Sequence, residues 1–213
     1  LEFRRVLFRS RKHMKLNMKK AAALLLAGSM VAAYAVPAAA ETEEKVVTAA
    51  MDQAWDTMMP LNTTSNYTRF ICDQIYDRLT QTNADGTIEG RLAQSWTVND
   101  ASDAVTFKLH EDAVWSDGEP VTAEDVVFSY QMYSDPSVEA KSRYHLEYIA
   151  GVDESGAELS EDSIEVTADS EYEVTFKLKE AMYPDTFLQD IDTVFIIPKH
   201  VFEGKTAEEI NAP

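Results

Sequence analysis

The sequence predicts an α/β fold, and three observations carry that prediction. Residues 104–110 and 171–179 alternate apolar and polar side chains, as strands with one buried and one wet face do. Residues 122–133 space apolar side chains by three and four behind a polar cap, as a core-facing helix does. Short apolar runs such as residues 194–197 show neither period and read as buried strands.

The first segment stands outside that fold. Residues 1–10, LEFRRVLFRS, are basic, with four arginines in the first twelve positions. Back-translated in one frame, they look like a sequencing-library adapter. Residues 1–13 are therefore expected to be a non-native, adapter-derived segment; the competing reading is a basic arm for nucleic acid or membrane.

Residues 14–40 have the pattern of a signal peptide. Lys15, Lys19 and Lys20 form a positive start, and residues 21–36 are apolar and uncharged. Pro37 then breaks the helix, and Ala38, Ala39 and Ala40 supply small residues for cleavage. Residues 21–40 are long enough to span a bilayer. Pro37 and the acidic run Glu41, Thr42, Glu43, Glu44 favour cleavage over an anchor. With no cysteine near that point, a lipid anchor is not expected.

Residues 41–213 carry 36 acidic and 11 basic side chains. That balance disfavours nucleic acid and anionic lipid as partners. The 173 residues suffice for one domain. A single cysteine, Cys72, excludes an internal disulfide framework. It shares a helical face with Ile75, Tyr76 and Leu79 and reads as a small buried hydrophobe.

Residues 45–51 read as a buried strand, and residues 52–66 as a loop anchored by Trp55 and Pro60. A helix is expected over 65–79 and a turn at Asn83, Ala84, Asp85 and Gly86. Residues 95–99 and 104–110 form a hairpin around a polar loop. Asp117 and Gly118 make a turn that leads through Pro120 into the next helix. There Thr122 and Asp125 approximate a capping box, Val126, Val127, Tyr130 and Tyr133 form the core stripe, and Pro136 stops the helix. Strands follow at 163–168 and 171–179, the latter with Tyr172, Val174, Phe176 and Leu178 on one face. A short helix is expected at 182–190, a buried strand at 194–197 and a turn from Pro198 to His200. The string VTFKL occurs at 105–109 and again at 174–178. No longer repeat surrounds it, so it reads as two amphipathic strands reaching the same solution.

Little of this pattern carries reaction chemistry. A calcium loop around Asn83 to Ile88 would place Gln81 and Leu92 where carboxylates are required. His110, His145 and His200 are far apart and lack zinc-ligand spacing. There is no GxSxG, GxxxxGK[ST] or GxGxxG. No cofactor is expected. Acidic pairs are too numerous to single out a glycosidase pair.

The resemblance lies in ordered motifs. LAQSWTVND at 92–100 is followed by VTFKL at 105–109 and WSDGEPVTAEDVVFSY at 115–130. IYDRL at 75–79 and IPKHVF at 197–202 flank them. The chain resembles the family 5 extracellular solute-binding proteins of peptide-type ABC transporters over nearly all of residues 41–213. His110, where the family has an arginine, and Asp103-Ala104, in place of a glycine-bearing turn, are small departures. The resemblance implies a periplasmic-binding-protein-like, two-lobed α/β fold, of which this chain holds the N-terminal lobe: a mixed sheet plus a hairpin subdomain. Family members exceed twice this length, so the sequence is expected to be an N-terminal fragment.

That resemblance implies capture of a small solute, most often a peptide, outside the cytoplasmic membrane and delivery to a permease. A monomer is implied for the full-length protein, in the periplasm or otherwise extracytoplasmic. Some relatives take nickel chelates or oligosaccharides. The family's loop after the first strand approaches the ligand cleft, which puts Trp55, Thr63, Thr64, Ser65, Asn66 and Tyr67 forward as ligand-binding residues. Trp55 and Tyr67 have a competing role in core packing. The alternative functions are a secreted carbohydrate-active enzyme using paired carboxylates and a structural surface module.

Overall fold

The computed structural model describes residues 48, 50, 54 and 57–211. A four-stranded antiparallel sheet forms the centre, in the order β3-β4-β6-β5. Its strands are β3 (Ala93–Val98), β4 (Ala104–Leu109), β5 (Val166–Ser170) and β6 (Glu173–Lys177). A separate two-stranded ribbon pairs β1 (Thr80–Thr82) with β2 (Ile88–Gly90).

The two VTFKL strings lie side by side on the central strands. Val105 pairs with Phe176, Thr106 with Thr175 and Phe107 with Val174. The antiparallel match puts the apolar residues of both strings on one face. It also brings the Thr106 and Thr175 hydroxyls to 2.7 Å on the other. Val105, Phe107, Leu109, Val174, Phe176 and Leu178 are all buried. Tyr172, expected on that face, lies in the turn before β6 and is half-buried.

Helix α2 (Ala123–Ser134) covers this face with Val126, Tyr130 and Tyr133, while Val127 is only half-buried. Its start follows the sequence pattern. Asp125 Oδ2 accepts from the Thr122 backbone N–H at 2.8 Å and from the Thr122 hydroxyl at 3.1 Å. Helix α3 (Pro184–Ile191) adds Phe187, Leu188 and Ile191 to the same core. Rings of Phe107, Tyr130 and Phe187 surround Phe176, with centroids at 5.4, 4.7 and 5.7 Å. Edge-to-face contacts of this kind add to simple burial.

The expected turn before α2 is present. Gly118 takes φ +98°, a conformation that side chains with a Cβ disfavour. Trp115 accepts from its N–H at 3.0 Å. Asp117 turns outward to meet His200 on α4 (Lys199–Phe202) at 2.8 Å. The expected turn at 198–200 is therefore the start of a short helix. The chain closes with α5 (Ala207–Asn211), where Asn211 accepts from the Asn62 amide at 2.9 Å.

Two expectations need correction. Helix α1 (Asn66–Ile75) stops before Tyr76 rather than at Leu79, and Ile75 is exposed. After that point the backbone is extended, and Asp77 bridges Ile196. Residues 194–197 are fully buried but join no strand ladder. Their N–H groups go to the Asp77 carbonyl, the Ser129 hydroxyl and the Ile191 carbonyl instead. The expected turn at 83–86 is the tip of the β1–β2 ribbon, whose three-residue, mostly polar strands show no period in the sequence. The expected strand at 45–51 falls outside the described residues, except for positions 48 and 50.

Candidate functional site

Two regions compete as a site, at opposite ends of α1. With 1.5 Å of rise per residue, the ten residues of α1 separate them by roughly 15 Å. The N-terminal end holds the residues expected to bind ligand. Ser65 is the N-cap, and its hydroxyl accepts from the Thr68 N–H at 3.4 Å. Thr63 in turn accepts from the Ser65 N–H at 3.1 Å. Both side chains thus hold the helix start in shape. Thr64 and Asn66 are exposed, whereas Tyr67 is half-buried. Trp55 lies outside the described residues.

The C-terminal end opens into a cavity of about 440 Å³, lined by Asp73, Gln74, Tyr76, Asp77, Arg78, Gln81, Thr82, Arg91 and Asp192. None of the expected ligand-binding residues lines it. Three pieces of chain, together with Arg91 just after β2, build it. The end of α1 and the extended residues after it give the first wall. β1 gives the second through Gln81 and Thr82, and the turn after α3 brings in Asp192.

Arg78 organises this region. It pairs with Asp73 and donates to the Asp192 carbonyl at 2.8 Å. Its guanidinium lies over the Phe195 ring, 4.6 Å from the centroid, with Arg69 farther off at 5.6 Å. Burial pushes the Arg78 pKa down to about 10, helped by the nearby Arg69 charge, so it stays charged at neutral pH. Arg91 grips Asp77 with two hydrogen bonds, of 3.1 and 3.3 Å. Asp77 also caps the Arg78 N–H at 2.9 Å. The Asp192 carboxylate accepts from the Thr82 N–H at 3.2 Å.

The uncommitted groups are of a different kind. Thr82 Oγ1 is buried without a hydrogen-bond partner. Among the described residues, no group of three His, Cys, Asp or Glu could hold a metal ion. His145, which does not line the cavity, sits 3.6 Å from Asp190. Burial lowers the His145 pKa and raises that of Asp190, so desolvation works against charging either group. The IYDRL motif was the available sequence signal for the cavity. It holds Tyr76, Asp77 and Arg78, but Asp192 comes from more than a hundred residues away.

Comparison with known proteins places this architecture. Residues 87–213 match the family model described as bacterial extracellular solute-binding proteins, family 5 Middle. The chain is 41% identical over 86 residues to the periplasmic oligopeptide-binding protein OppA of Escherichia coli, covering 39% of this chain and 16% of that protein. It is 30% identical over 148 residues to the nickel-binding periplasmic protein of Escherichia coli, covering 68% and 25% respectively. The chain thus spans a quarter or less of these two relatives. Its fold is similar to that of the Escherichia coli murein tripeptide binding protein MppA, with a TM-score of 0.62 at 22% identity, covering 72% of this chain and 31% of that one. The chain belongs to the bacterial extracellular solute-binding proteins, family 5.

Proposed function

We propose that this chain is part of the extracytoplasmic binding component of an ABC transporter, which captures a small solute and hands it to a membrane permease. The solute proposed is a peptide. Family membership carries the reading. It is supported by relatives named for oligopeptide and dipeptide binding in several bacteria. Relatives named for nickel and deoxycholate binding show that solutes differ within the family.

Family membership points to a transport-binding protein rather than an enzyme. The local chemistry agrees with that reading. A carboxylate pair for glycoside hydrolysis needs one acid held protonated and one free base. Asp73 and Asp77 at the cavity are each engaged by a guanidinium instead.

We further propose that Trp55, Thr63, Thr64, Ser65, Asn66 and Tyr67 meet the solute, and that residues 14–40 direct export with cleavage after Ala40. Thr64 and Asn66 are the best probes of contact, because Ser65 and Thr63 also hold the helix start. Peptide binding is tested by calorimetry on the full-length protein carrying Trp55→Ala or Asn66→Ala. Each substitution is expected to weaken affinity and leave the melting temperature nearly unchanged. Unaltered affinity in both variants removes the loop from the site. Mass spectrometry of the exported protein should find Glu41 at the N-terminus. A membrane-bound form that retains residues 21–40 would establish an anchor instead.

A further inference from the structure

We propose that Asn211 is a positioning residue for the solute: acting through Asn62, it fixes the loop that enters α1 and so sets the affinity for peptide. The inference rests on the reading above that residues 63–67 meet the solute.

The loop is anchored just before those residues. Residues 59–62 form a turn, with Pro60 in its second position and the Asn62 N–H donating to the Met59 carbonyl at 3.3 Å. Pro60 and Leu61 are buried. The Leu61 carbonyl accepts from the Lys141 N–H at 2.8 Å, so the chain after α2 holds this point by backbone alone. One residue on, the hold passes to side chains. Asn62 Nδ2 donates to Asn211 Oδ1 at 2.9 Å, across 149 residues of sequence.

Asn211 is itself fixed. Thr206 and Glu209 cap α5 reciprocally. The Thr206 N–H and hydroxyl donate to Glu209 Oε2 at 2.8 and 2.9 Å, and the Glu209 N–H donates to the Thr206 hydroxyl at 3.3 Å. Ile210 anchors the same helix in the core. The Asn211 amide then reaches the segment after α2. Its Oδ1 accepts from the Glu139 N–H at 2.9 Å, and its Nδ2 donates to the Ser137 carbonyl at 3.1 Å. Those two backbone groups admit one orientation of the amide, with the oxygen toward Glu139. Asn62 can therefore meet that oxygen only with its nitrogen.

The constraint is not free. Asn62 Oδ1 is left buried without a hydrogen-bond partner. A buried acceptor that stays unpaired costs stability, and an apolar side chain of the same shape would avoid that cost. Stability alone therefore does not select an asparagine here, whereas placement of the loop does. Asn62 adjoins Thr63, whose hydroxyl accepts from the Ser65 N–H at 3.1 Å, and Ser65 caps α1. A shift at Asn62 passes through these contacts to the residues proposed to meet the solute.

The test uses calorimetry on the full-length protein with dialanine, trialanine and pentaalanine as probes. Asn62→Leu and Asn211→Ala should each weaken binding of the tightest of the three by about three- to tenfold, as loss of one hydrogen bond implies. The double variant should bind no more weakly than the weaker single variant, because both substitutions cut the same link. Asn62→Leu should keep or raise the melting temperature, since it also removes the unpaired acceptor. Unchanged affinity in both single variants overturns the inference. Additive losses in the double variant overturn it too, since the two residues would then act separately. A melting temperature that falls with affinity in Asn62→Leu makes the contact merely structural and likewise overturns it. If the wild-type protein binds none of the three probes, the peptide reading fails and the inference falls with it. Binding by the wild type with no effect of either substitution sinks the inference alone.

Discussion

Asp125 shows how one residue can serve two elements. It is 4% exposed, and its two carboxylate oxygens divide the work. Oδ2 takes both the N–H and the hydroxyl of Thr122 and so closes the start of α2. Oδ1 takes the Lys199 N–H at 2.8 Å and so closes the start of α4. Four residues on, the Ser129 hydroxyl accepts from the Ile197 N–H at 2.9 Å, in a segment that has no strand partner. Truncation of Asp125 to alanine strands three donors and removes a cap, with an expected cost of about 2–4 kcal/mol. Urea denaturation should show this as a lower midpoint with an unchanged slope. Ser129→Ala should cost about 1–2 kcal/mol. A cost below about 0.5 kcal/mol for Asp125→Ala would show that water replaces the carboxylate at both helices.

The His200–Asp117 pair gives a pH signature at the same scale. The hydrogen bond to Asp117 raises the His200 pKa, and the bond to His200 lowers that of Asp117. A raised histidine contributes stability that is present below its unfolded value and lost as pH rises through the folded one. A lowered aspartate contributes stability that is present above its unfolded value and lost as pH falls through the folded one. The pair therefore acts between about pH 4 and pH 6.5, the ordinary carboxylate and imidazole values. His200→Gln should lower the melting temperature near pH 5.5 and leave it nearly unchanged near pH 8. Equal effects at both values would show that the contact, not the charge, matters.

At the scale of elements, the sheet is held by one aromatic cluster. Phe176 on β6 touches rings from β4, α2 and α3, so it is the point where four elements meet. Phe176→Ala is expected to cost about 3–5 kcal/mol, a large share of a domain's usual 5–15 kcal/mol. Denaturant unfolding should register that loss, and Phe107→Leu should cost much less because it keeps most of the volume. These elements were legible in the sequence because period two and period 3.6 persist over five or more residues in β4, β6 and α2. The misreadings have local causes. IYDRL stays apolar enough to prolong α1 on pattern alone, while the backbone leaves the helix at Tyr76 so that Asp77 can bridge Ile196. The run 194–197 is as apolar as a strand, yet its N–H groups find the Ile191 and Asp77 carbonyls and the Ser129 hydroxyl. Such partners cannot be read from periodicity. The cavity was hidden for the same reason, since Asp192 reaches Thr82 only through the packing of α3 on β1.

For the whole molecule, charge decides which of two electrostatic effects wins. The described residues hold ion pairs such as Lys199–Glu124, Lys177–Asp103 and Lys108–Glu111, all substantially solvent-exposed. Exposed pairs contribute about 0–1 kcal/mol each and are weakened by salt. Against them stands a net charge of −18 for the chain, with 36 acidic and 11 basic residues after position 40. Repulsion among that many like charges opposes the compact state and is also weakened by salt. The two effects predict opposite signs. If pairing dominates, salt lowers the melting temperature; if repulsion dominates, salt raises it. The acidic excess leaves most carboxylates without a basic neighbour, so repulsion should dominate. Raising sodium chloride from about 10 mM to 500 mM shortens the screening length from about 30 Å to under 5 Å. The melting temperature should then rise by roughly 2–4 °C for each kcal/mol of repulsion removed. Chloride is the right salt, because sulfate would also strengthen apolar burial and blur the sign. A fall in melting temperature over that range would mean that the exposed pairs outweigh the acidic excess.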